Sequence, residues 1–234
     1  MASNLFEEVT LTAESIRDFQ ICALLHDYRH RQKLGEPIFG RELMAQRYEN
    51  TLKKIVSFFF YKKQAGLTPS YNALLNRWEK LWFPKNMTAY DLALEQHETW
   101  HGNIASYSNA AAMALMKFHE DFEDDGWEPL LISEQFLVPL TSNIRIAGTF
   151  DLVLRKDKNH KIVMISGRQK RPTIGSLVVE FAILKHAFES RHDEKKAAKY
   201  AFYDVGSVRP GFVNAAPTRK DVDALFYWAI EAAE

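Results

Sequence analysis

The sequence predicts an α+β protein with an α/β-type core, and three observations predict it. Apolar residues recur at helical spacing through the first half, three short β-branched runs then follow in close succession, and helix and strand patterns alternate beyond them. A chain of 234 residues with 47% apolar content can bury a full core. Residues 1–128, read as a helical region, and 129–234, read as sheet and helices, are therefore expected to pack as one globular unit.

Thr12, followed by Glu14 and Ser15, has the character of an N-cap and opens a helix expected to run to residue 31, burying Ile16, Phe19, Ala23 and Leu24. A second helix is predicted over 41–63, where Leu43, Leu52, Ile55, Val56 and Phe59 share a face until Gly66 and Pro69 end it. A shorter one covers 71–81. Thr88 with Asp91 three residues on is shaped like a capping box, and from it a long helix is predicted to reach 124, before Gly126 and Pro129. In these helices Phe58 to Tyr61 read as packed on more than one side, Trp78, Trp82 and Trp100 as core or interface anchors, and 120–125 as a solvated helix end. Strands at 132–140, 144–154 and 161–165 form a predicted meander. A helix over 176–190, a strand at 200–205, a further strand near Phe212 and Val213, and a helix from Asp221 complete the order.

Charge and cysteine content narrow the function classes. Thirty basic and thirty acidic side chains cancel, so any attraction to nucleic acid must come from a local patch. A single cysteine, Cys22, rules out an internal disulfide and an iron–sulfur cluster held by several thiolates. No run approaches the ~18 apolar residues of a membrane span, and the N-terminal residues lack a basic segment followed by an apolar one. A cytoplasmic protein without a membrane partner is expected, from a bacterium or from a virus and then present in host cytoplasm or virion.

Three segments carry a resemblance. The stretch Leu11-Thr12-Ala13-Glu14-Ser15-Ile16-Arg17-Asp18-Phe19, with Cys22 and Tyr28 following, resembles the opening helix of RecB-like nucleases. Glu134-Gln135-Phe136 and then Gly148-Thr149-Phe150-Asp151 resemble that family's E-x-x-F and G-x-[IF]-D strands, and Glu180 to Leu184 sits where a Q-L-x-x-Y helix begins. The chain thus looks like a member of the PD-(D/E)XK nuclease superfamily, in the branch of RecB-like and CRISPR-adaptation nucleases. The resemblance implies a mixed central sheet with flanking helices and a helical N-terminal elaboration. It implies that Asp151, assisted by Glu134, binds Mg²⁺ or Mn²⁺, hard cations that take oxygen ligands. It also implies that Cys22, a cluster ligand in some relatives, is here a core residue.

The next strand departs from the pattern. Where the family carries an acidic residue and a lysine, Ile162-Val163-Met164-Ile165-Ser166 offers Met164, whose thioether is a poor Mg²⁺ ligand, and Ser166, whose neutral hydroxyl cannot offset phosphodiester charge. The helical histidine expected within 40–51 is also missing, with Arg47 or Tyr48 nearest. Loss of cleavage is the expected outcome, leaving a nucleic-acid-binding or adaptor subunit that needs no metal, with Arg168, Lys170 and Arg171 as candidate phosphate contacts. The partners would be DNA or other protein subunits. The alternative is an active Mg- or Mn-dependent DNA exonuclease in which Lys170 and Glu180 replace the lost groups beside Asp151.

A rival metal site lies in His97-Glu98-Thr99-Trp100-His101, which fits H-E-x-x-H. Positions i and i+4 put both imidazoles on one helix face to hold zinc, with Glu98 as base and Glu120 as third ligand. Such peptidases encode a sheet before the motif, whereas residues 1–96 here read as helical.

Overall fold

In the computed structural model, which describes residues 8–33, 40–82, 104–167, 173–191, 198–206 and 210–233, the β-branched runs assemble into a six-stranded mixed sheet. Its strands are β1 (Val9–Leu11), β2 (Glu128–Pro139), β3 (Ile144–Lys156), β4 (Asn159–Ser166), β5 (Lys199–Asp204) and β6 (Gly211–Ala215). The predicted meander is present: β2 lies antiparallel to nearly the whole of β3, and β4 is antiparallel to its C-terminal half. β5 runs parallel to β4, because a helical crossover joins them, and β6 returns antiparallel at the far edge.

The helices are α1 (Ala13–Ile21), α2 (Ala23–His26), α3 (Gly40–Gln64), α4 (Tyr71–Trp82), α5 (Ile104–Phe122), α6 (Val178–Arg191) and α7 (Arg219–Ala233). They cover both faces of the sheet. Ile16 of α1, Phe181 and Phe188 of α6 and Leu225 of α7 pack on one face with Phe136, Phe150, Ile162 and Phe202. Leu52, Phe59 and Phe60 of α3, Trp78 of α4 and Phe118 of α5 pack on the other with Leu152, Val163, Ile165 and Tyr203. Neighbouring positions such as Ile162 and Val163 thus serve opposite cores, as the two-residue period of a strand requires. Among the described residues no helix is long and apolar enough to cross a membrane.

Of the aromatic helix positions, Phe59 and Phe60 are fully buried and Trp78 and Trp82 stack with centroids 4.9 Å apart, as read, whereas Tyr61 is largely exposed. The first helix does not run as predicted. Thr12 caps it, its side chain accepting from Ser15 N while Ser15 Oγ accepts from Thr12 N at 2.9 Å, but the helix stops at Cys22, whose backbone is extended. Cys22 is exposed rather than in the core, and Leu24 is 57% exposed. The break has a physical cause in Asp18, which draws Arg29 and His30 of the following π turn (Asp27–Arg31) back onto α1 at 3.2 and 2.9 Å. Burial pushes the Asp18 carboxyl up, but hydrogen bonds from His30 and Arg29 outweigh it and hold the group below its ordinary value.

Two further expectations are corrected. The segment 120–125 is not simply a solvated end: Asp121 accepts from Tyr203 Oη at 2.8 Å and Asp125 pairs with Lys63 at 2.7 Å. Strand β1 went unread because three residues are too few for a period to register; it docks parallel to β3 through Val9–Ile144 and Leu11–Ile146.

Gly148 is opposite Phe136 in the β2–β3 ladder, and the ring lies over the glycine. A Cβ there would sit 2.9 Å from Phe136 Cε2 and nearer still to Cζ. Phe136 is 4% exposed and its ring centroid is 4.7 Å from that of Phe150, so it has little room to yield. Gly148→Ala is expected to destabilise by about 1–3 kcal/mol through overpacking, read as a fall in thermal midpoint. Combining it with Phe136→Leu should recover part of the loss, and simple additivity would contradict this account.

Candidate functional site

The outer edge of β3 is shared by two strands. β1 pairs with residues 144–146 and β4 with residues 152–156, so the edge between them has no strand partner, although β2 continues along the opposite edge. The result is a notch in the sheet, bounded by the end of β1 with the start of α1 and by the splayed end of β4.

Asp151 stands in this notch. Its Oδ2 accepts a hydrogen bond from Ile165 N at 2.8 Å, so the carboxylate stands in for a ladder bond where β4 peels away. The β2–β3 ribbon also turns over here. Glu134 pairs with Phe150 and Ile132 with Leu152, yet Phe150 belongs to one core and Leu152 to the other. Strict alternation would put both on one face. Ser133, opposite Asp151, has a left-handed backbone with φ 51°, the local twist that permits the change.

Helix α3 closes the notch from the second face. A Cβ on Gly167 would meet Glu49 Cα at 2.6 Å, so this glycine is what lets α3 cross the end of β4. Glu49 and Lys53, one turn apart and paired at 3.3 Å, are thereby the charges nearest Asp151. Desolvation pushes the Asp151 carboxyl above its ordinary value; Lys53 and the Ile165 amide pull it down, and Glu49 pushes it up again, with burial prevailing. Glu49 and Lys53 flank an apolar stripe like any surface pair, so no sequence pattern singles them out.

A groove of about 710 Å³ opens beside the notch, lined by Arg17, Lys53, Gln135, Gly148, Thr149 and Glu180. Arg17 Nη1 pairs with Glu180 Oε1 at 3.0 Å, tying α1 to the first turn of α6. Glu134 lies elsewhere, paired with Arg191 of α6 at 3.0 Å. Met164 packs against the core of the first face, and Ser166 is buried with its carbonyl accepting from Val205 N at 2.8 Å. Tyr48, nearest to the missing histidine, is buried among Trp78, Trp82 and Tyr107, while Arg47 donates to Trp82 O at 2.8 Å.

Arg168, Lys170 and Arg171 lie outside the described residues, as do His97, Glu98, Trp100 and His101. Glu120 is exposed and 3.7 Å from Lys117. Among the described residues no three His, Cys, Asp or Glu side chains gather into a potential metal site. The notch offers the half-buried Asp151 carboxylate, already engaged by an amide, beside Glu49, already paired with Lys53, while Met164 packs against the first-face core, a donor set that fits Mg²⁺ poorly.

A raised folded-state pKa carries a definite sign. Below the ordinary Asp value Asp151 is neutral in both states; as pH rises through its higher folded value the folded state must hold a desolvated charge, and stability falls. Asp151→Asn keeps an oxygen for Ile165 N and removes that charge. It is expected to raise stability at pH 7 and to flatten the decline in melting temperature as pH rises above the ordinary Asp range. An unchanged pH profile would refute a buried, desolvated carboxylate.

No family model and no curated protein sequence matches the chain. Among solved structures it is similar to a crystal structure of a predicted exonuclease from Eubacterium rectale, with a TM-score of 0.50 and 9% identity, covering 98% of this chain and 82% of the other. At that identity the likeness concerns the fold alone: a mixed sheet flanked by helices, of nuclease-like type.

Proposed function

We propose that this chain is a nuclease-fold protein of RecB-like descent that has lost phosphodiester cleavage and serves as a nucleic-acid-binding or structural subunit of a larger assembly. The observation that carries the reading is the occupation of Asp151. Its carboxylate closes the splayed β3–β4 ladder through Ile165 N, and Met164, at the position of the family's second carboxylate, packs into the core. In-line attack on a phosphodiester needs metal ions or cations arranged around the reacting oxygens. A desolvated carboxylate already hydrogen-bonded to a backbone amide does not by itself supply them.

A second reading is favoured by one observation: Glu49 and Lys53 approach Asp151 from α3. Two carboxylates and an ammonium are the minimum set for a metal-dependent phosphodiesterase, so an active Mg- or Mn-dependent exonuclease would recruit these two in place of Met164 and Ser166.

End-labelled single- and double-stranded DNA incubated with Mg²⁺ or Mn²⁺ distinguishes the two. Intact DNA is expected under the first reading. Cleavage that disappears in Asp151→Ala and drops at least a hundredfold in Lys53→Ala would establish the second.

A further inference from the structure

We infer that the groove between α3 and α4, which meets the notch-side groove only at Lys53, is a binding site for single-stranded nucleic acid. Its volume is about 730 Å³, and it is lined by Lys53, Lys54, Lys62 and Arg77 with no carboxylate among the described lining residues. Lys53 is balanced by Glu49, and in a chain whose charges sum to zero the other three cations on one concave surface form a local positive field. Among the described residues no salt bridge engages Lys54, Lys62 or Arg77.

The aromatic lining selects the ligand. Lys54, Phe58, Tyr61 and Lys62 lie at spacings of four, three and one, so α3 presents them on neighbouring positions of one face. Tyr61 is 52% exposed, yet its hydroxyl donates to Ile132 O at 3.0 Å, which fixes the ring in place. The Arg77 guanidinium lies 5.6 Å from the centre of the Phe58 ring, so a planar cation and an aromatic face stand together. Ser57 and Ser133, joined at 2.8 Å, supply hydroxyls at the floor. Cations for phosphates alternating with flat faces for bases is the chemistry of single-strand binding; an acidic peptide would use only the cations. From Lys54 to Lys62 the helix rises about 12 Å, the length of a few nucleotides. A duplex would present its bases stacked and out of reach of these rings.

The inference deepens the nucleic-acid arm of the proposed function but does not depend on whether the notch cleaves. The test is fluorescence anisotropy of a labelled oligothymidylate with the full chain in EDTA, which suppresses any metal-dependent cleavage. Lys54→Glu with Lys62→Glu is expected to raise Kd at least tenfold, and Arg77→Ala at least threefold. Lys158→Glu with Lys220→Glu, which changes net charge equally at exposed sites elsewhere, should change it far less. Three phosphate contacts give a log–log salt dependence of slope about −2, falling to about −0.7 in the groove double variant, at ~0.7 per contact. Melting curves confirm that each variant is folded. Absence of binding, equal weakening by the two double variants, or displacement of the oligonucleotide by polyglutamate at matched charge would each overturn the assignment, the last in favour of an acidic peptide. Cleavage of the same oligonucleotide after adding Mg²⁺ would instead overturn the proposed loss of activity and leave the groove standing.

Discussion

Strand β3 has to satisfy three neighbours along its two edges, and most of the molecule is arranged around the length of edge that none of them can cover. β2 takes one side; β1 and β4 divide the other and leave the residues between unpaired. A backbone in that position needs some partner, and Asp151 supplies part of the answer by reaching across to Ile165 N. The same gap admits α1 from one face and the Glu49–Lys53 turn of α3 from the other, with Gly167 bare so that the helix can approach. The groove, the charges beside it and the change of face at Ser133 are all consequences of one strand being longer than its partners on one side.

Much of the fold was legible in the sequence because its signals are local. The β-branched runs with polar turns marked β2 to β4, and the stripe through Leu52, Ile55, Val56 and Phe59 marked α3. Where reading failed, the cause was a long-range interaction. Helical spacing continues past Cys22, but a salt bridge from Asp18 to Arg29 turns the chain, and no periodicity reports that. β1 depends wholly on a partner more than a hundred residues away.

The candidate site was legible by motif and opaque by geometry. Gly148 and Asp151 stand out in sequence, and both matter locally, though Gly148 makes room for the Phe136 ring rather than for another backbone. Glu180 meets Arg17, and Glu134 meets Arg191; pairings of this kind arise from which helices cross the sheet, information absent from any local window. Lys53 faces both the notch-side groove and the α3–α4 groove, so a single side chain links the two surfaces.

The parallel pairing of β1 with β3 has a consequence for how the protein is made. Val9 emerges from the ribosome early and must wait for Ile144, on the order of ten seconds at ordinary elongation rates. During that interval α3, α4 and α5 have no sheet to cover. The contacts of Phe59 and Phe60 with Phe118 and Phe122 join α3 to α5 without any strand, so this part of the second core does not depend on the late pairing of β1.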